Sequence, residues 1–156
     1  MLRVGRHSQS RTIKKIIIHC SASDFGDVAT IRRWHLERGF VDIGYHFVIL
    51  NGSRKPGAYD PDDDGKIEKG RPWWKIGAHC KGHNRDSLGI CLIGNPKFIG
   101  APEMWFTPRQ LESLRNLVSQ LLIEFRLTPE DVFGHNDFAR KICPGFKVQS
   151  IREWWK

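Results

Sequence analysis

Short apolar runs alternate with longer polar stretches along the chain, and their periods predict its elements. KKIIIHC (Lys14 to Cys20) is a β-branched run of strand length and reads as a buried strand. Asp27 is placed to cap a helix running to about Arg38, with Ile31 and Trp34 on one face and Gly39 as its stop. YHFVIL (Tyr45 to Leu50) reads as a second strand, closed by the turn signal Asn51-Gly52. Residues 53–70 keep no period and read as an irregular hairpin region, and GICLIG (Gly89 to Gly94) reads as a third buried strand. Thr107-Pro108-Arg109-Gln110 opens the clearest helix: Thr107 suits the N-cap, Pro108 the first helical position, and Gln110 completes a capping box. Leu111, Leu114, Leu117, Val118, Leu121, Leu122 and Phe125 then form a helical stripe that faces a core. Val132 to His135 reads as a short strand and Val148 to Trp155 as a last helix. Strands alternating with helices, several of them wholly apolar, predict an α/β fold in which helices cover one sheet.

With 156 residues the chain has room for one domain, placed at 13–156 and preceded by a flexible basic arm at 1–12. No stretch approaches about 18 uninterrupted apolar residues, so no membrane span is expected. The N-terminus lacks the apolar run of a secretory signal, so the protein is expected to stay in the cytoplasm until something else releases it. A net charge of +8 attracts polyanions such as nucleic acid, anionic lipid or an acidic cell envelope, without choosing among them. Cys20, Cys80, Cys91 and Cys143 form no short-spaced pair, which argues for free thiols with room for one metal ligand.

Chemistry enters with His19 and His135, each at the end of a predicted strand, where sites in α/β sheets gather. Cys143 follows His135 at a distance that lets the loop fold back. Two imidazoles and a thiolate leave one tetrahedral position open, which is a catalytic zinc pattern. The same residues also fit two satisfied histidines and one buried cysteine.

IIIHCSAS, GYHFVI, GAHCKGHNRDSLGICLIGN and GHNDFARKICPGF occur in order and well spaced. Together they closely resemble the zinc-dependent N-acetylmuramoyl-L-alanine amidases, the family of the amidase-type phage lysozymes and the peptidoglycan recognition proteins. The likeness spans roughly residues 13–155. It implies a mixed sheet flanked by helices, with one catalytic Zn2+ in a groove on one face. It implies zinc ligands at His19, His135 and Cys143, catalytic assistance from Tyr45 and Lys141, and groove contacts to glycan or peptide from His79 and Asn84. The implied reaction is hydrolysis of the amide between the lactyl group of N-acetylmuramic acid and the first L-alanine of the stem peptide. The implied setting is a monomeric phage endolysin that reaches host peptidoglycan at lysis. Its rivals are a peptidoglycan-binding protein without activity, against which the presence of Cys143 argues, and a regulator of phage RNA polymerase. A nucleic-acid-binding module rests on charge alone.

The remaining residues read as structural. Ser87 is taken as a loop cap, Cys20, Cys80 and Cys91 as core thiols, and His35 and His46 as structural histidines. Asp60 to Glu68 resembles the start of a calcium loop, but Arg71 stands where a bidentate Glu is required, so an exposed acidic hairpin turn is expected. Trp73 and Trp74 beside the GAHCKGHN motif suit either sugar packing or core.

Overall fold

A computed structural model describes residues 11–156, and residues 1–10 of the expected basic arm lie outside the described residues. Five strands form one mixed sheet: β1 (Lys15–Cys20), β2 (Phe47–Ser53), β3 (Tyr59–Lys69), β4 (Ser87–Leu92) and β5 (Val132–Gly134). Their order across the sheet is β3-β2-β4-β1-β5. β4 pairs in parallel with both β1 and β2, β5 pairs in parallel with β1, and only the edge strand β3 runs antiparallel. This is the single α/β domain with a central mixed sheet that the sequence implies.

The alternation of side chains decides what covers each face. Ile16, Ile18, Phe47, Ile49, Leu88, Ile90 and Leu92 point to one side and pack on α2 (Pro108–Phe125) and the C-terminal segment. The stripe Leu114, Leu117, Val118 and Leu121 is wholly buried there. Thr107 and Gln110 make the expected reciprocal capping box. The other side, with Val48, Leu50, Cys91 and Ile93, packs on α1 (Val28–Glu37), capped by Asp27 as expected. The single short helix α1 leaves the His19 end of that face for a groove.

Three expectations need correction. Asn51-Gly52 is not a turn: β2 runs on to Ser53 through register shifts, with Gly52 at φ 95° and the Tyr59 ring lying where a Cβ would be. The irregular hairpin is present, as β2 and β3 paired with two register shifts, but the acidic stretch lies in its strand Tyr59–Lys69 and not in its turn. Asp63 pairs with Arg54, and Asp64 accepts from the hydroxyls of Tyr59 and Thr107, so these carboxylates face separate partners. The last helix spans Val148–Trp155 as expected and is of the 3-10 kind. Arg11, assigned to the flexible arm, is docked: its guanidinium donates to the carbonyls of Trp73, Asn84, Arg85 and Ser87. Among the described residues no helix is long and apolar enough to cross a membrane.

Candidate active site

His19 sits near the C-terminal end of β1 on the face shared with α1, and only 1% of it is exposed. His135 opens a 3-10 turn (His135–Asp137) directly after β5, and Asp137 caps that turn by accepting from the Gly134 amide at 2.8 Å. The following loop returns as expected. Asn136 ties it by donating to the Phe146 carbonyl at 3.1 Å, and Cys143 lands beside β1. The Cys20 amide donates to Cys143 Sγ at 3.2 Å.

His19 Nδ1 lies 3.1 Å from His135 Nδ1 and 3.9 Å from Cys143 Sγ. The three ligand atoms fall within 4.8 Å of one another, and this is the one such His/Cys/Asp/Glu group among the described residues. Tetrahedral zinc with bonds of about 2.0–2.3 Å holds its ligand atoms roughly 3.3–3.6 Å apart, so the imidazole pair is close to that spacing and the sulfur stands somewhat farther out. Electrostatics fit as well. Burial, then His79, His135 and Lys141, hold His19 well below its usual pKa; burial, then Lys141, lowers His135. Both rings are therefore neutral at neutral pH, the form in which an imidazole can bind a metal. A hydrogen bond shared with Cys20, then burial, pushes the Cys143 thiol up. A divalent cation supplies the charge that releases such a proton.

Tyr45 packs its ring 5.2 Å from that of His19 and 5.5 Å from that of His35. Burial, then the sulfurs of Cys91, Cys143 and Cys20, raises its hydroxyl well above the usual value, which makes it a hydrogen-bond donor and a poor base. Lys141 is exposed. Both residues line an open groove of about 700 Å³ that also contains Arg38, His79, Asn84 and His135.

The structure gives His79 and Asn84 internal duties. Asn84 Oδ1 accepts from the amides of His79 and Cys80, both at 2.9 Å, which pins the loop. His79 is 9% exposed, and its Nδ1 meets His19 Nε2 at 2.8 Å. Trp73 and Trp74 do not line the groove: Trp73 packs on Phe125 at 5.2 Å and belongs to the core. His35 and His46 are structural, their Nδ1 atoms accepting from the amides of Gly44 and Gly89. Cys20, Cys80 and Cys91 are buried thiols. Sequence reasoning missed two residues. Arg38 at the end of α1 carries no local signal for a groove. Ser87, read as a loop cap, is wholly buried at the start of β4, with its hydroxyl 3.3 Å from His79 Nε2.

The sequence profile of the N-acetylmuramoyl-L-alanine amidase family matches residues 9–146. The chain is 38% identical to an endolysin of Klebsiella phage KP32 over 91% of its own length and 85% of the relative's. It is 36% identical to an endolysin of Escherichia phage T7 over 100% and 93% of the two chains. The solved N-acetylmuramoyl-L-alanine amidase LysC from Clostridium intestinale URNW superposes with a TM-score of 0.74 at 26% identity, covering 98% of this chain and 91% of that one.

Proposed function

Because this chain belongs to the N-acetylmuramoyl-L-alanine amidase family and is a peptidoglycan amidase of the endolysin kind, we propose that His19, His135 and Cys143 hold one catalytic Zn2+. The observation that carries the reading is the convergence of two imidazole nitrogens and one sulfur beside an open groove that His135 lines. Zinc bound there supplies a Lewis acid for the amide carbonyl and an activated water near neutral pH. The protein supplies the rest. The groove holds the lactyl–L-alanine amide over the three ligands. The Lys141 ammonium stands beside the carbonyl oxygen and stabilises the negative charge that develops on it. The Tyr45 hydroxyl, protonated in its buried setting, orients the attacking water by hydrogen bonding. Asn84 and His79 shape the wall against which glycan or peptide lies.

The test is digestion of purified peptidoglycan combined with metal analysis. New L-alanine amino termini should appear without new reducing sugar ends. The protein should carry about one zinc per chain, and a chelator should abolish activity until zinc is restored. Cys143→Ser should lose most of both metal and activity, because a neutral hydroxyl is a far weaker ligand than a thiolate. Full zinc occupancy and full activity in Cys143→Ser would overturn the ligand assignment.

A further inference from the structure

Behind the His19 ring runs a line of hydrogen bonds that ends on a backbone carbonyl. His19 Nε2 is 2.8 Å from His79 Nδ1, His79 Nε2 is 3.3 Å from Ser87 Oγ, and Ser87 Oγ is 2.7 Å from the carbonyl oxygen of His83. Resting on the reading of His19 as a zinc ligand, we propose that His79 and Ser87 are positioning residues. They hold the proton of His19 on Nε2 and so present Nδ1 to the metal as a bare lone pair.

The direction follows from the last member of the line. A carbonyl oxygen only accepts, so the Ser87 hydroxyl donates to His83. Its remaining lone pair then faces His79 Nε2, which must carry the ring proton. A neutral imidazole has one such proton, so His79 Nδ1 accepts, and His19 Nε2 donates to it. His19 Nδ1 is left bare, aimed at His135 Nδ1 and Cys143 Sγ. Reversing the line would set the His83 carbonyl against a serine lone pair at 2.7 Å. It would also put a proton on the His19 nitrogen that faces the other two ligands.

The ring of His79 sits in a slot made for it. A Cβ on Gly89 would lie 2.6 Å from His79 Cγ, and a Cβ on Gly77 would lie 2.8 Å from His79 Cδ2. Two glycines thus leave the space that the imidazole fills. Asn84 fixes its backbone from a third side, and His46 packs edge-on against it with ring centroids 5.8 Å apart. Ser87 is wholly buried, so water does not compete for either bond. A metal-bound histidine gains orientation and basicity from an acceptor on its other nitrogen. In this chain that acceptor is a second histidine, itself oriented by a serine.

Zinc affinity, read by competition with a chromophoric chelator, tests the idea without reference to activity. His79→Phe fills the slot but offers no acceptor, and should bind zinc about 10–100-fold more weakly than the parent. Ser87→Ala should show a smaller loss in the same direction. His79→Asn carries an acceptor oxygen near the position of Nδ1 and should recover most of the parent affinity. A packing role ranks them the other way, with Phe close to the parent and Asn the weakest. Nitrogen-15 NMR of the metal-free parent should show His19 as the Nε2-protonated tautomer, a reading that needs no variant to fold. An Nδ1-protonated His19, or parent affinity in His79→Phe, overturns the inference. If the parent takes up no zinc, the reading of the site itself falls and this one with it. If the parent binds zinc and every variant matches it, only the inference falls.

Discussion

Lys141 and Tyr45 line one groove with His135, and their expected effects separate chemistry from scaffolding. On the proposed reading Lys141 meets charge that exists in the transition state and scarcely in the bound substrate. Lys141→Ala should therefore keep zinc, fold and binding to cell-wall material while kcat falls roughly 10²–10³-fold. Lys141→Arg keeps the charge with a different shape and hydration, and should restore only part of the rate. Tyr45→Phe should also slow turnover with zinc retained. Zinc content and kcat measured on the same preparations check all three, and a parent rate in Lys141→Ala would reduce Lys141 to a surface lysine. Strand-end positions and a short loop made His19, His135 and Cys143 a candidate trio in the sequence, and the family resemblance singled them out. The sequence did not carry the relay behind them. His79 meets His19 from 60 residues away in the chain, Ser87 reaches it only through His79, and their meaning lies in which nitrogen faces which, something no spacing encodes.

The elements differ in how openly the sequence declares them, and α2 and β3 mark the extremes. α2 announces itself through a local cap and a seven-residue apolar stripe, both within one stretch of chain. β3 has no apolar alternation, because it is an edge strand held to its neighbours by polar contacts. Ser113 and Arg109 of α2 donate to the carbonyls of Gly65 and Pro61, and the Thr107 hydroxyl donates to Asp64. Gly65 is required there, since a Cβ would stand 2.8 Å from the Arg109 carbonyl oxygen. These partners are distant in sequence, which is why residues 53–70 read as irregular. Thr107 serves both elements, accepting from the Gln110 amide at 3.0 Å to cap α2 and donating to β3. Thr107→Ala removes both bonds at once and should cost about 1–2 kcal/mol in urea unfolding. Thr107→Ser keeps the hydroxyl and should recover most of it. Equal losses in the two variants would mean that the threonine methyl, and not the hydrogen bonding, matters here.

At the scale of the whole molecule, one face of the sheet is closed by α2 and the other is left half open, with buried histidines under the opening. His46 is pushed down to about 3 by burial, with Arg11 and Arg71 adding to the effect and the Lys75 carbonyl opposing it. His35 is pushed down to about 4 by burial, then by Arg38 and Arg71. Each uses Nδ1 to accept a backbone amide, from Gly89 and Gly44 respectively, so protonation would set donor against donor. The sign follows. Below about pH 6.5 the unfolded chain takes up protons that the folded histidines refuse. The stability these residues contribute is thus complete above that pH and drains away as pH falls toward 4 and then 3. Asp27 and Asp42 behave alike at lower pH: their hydrogen bonds and the neighbouring arginines outweigh burial and lower both carboxyls, so their contribution begins to drain only below about pH 4. The melting temperature should therefore decline already between pH 6.5 and 4.5, where no carboxylate effect is yet due. His46→Asn isolates the cause, since its side-chain oxygen can accept from the Gly89 amide without titrating. Compared with the parent at equal metal content, this variant should show a visibly flatter melting profile over that interval. Parallel profiles would place the acid sensitivity elsewhere in the molecule.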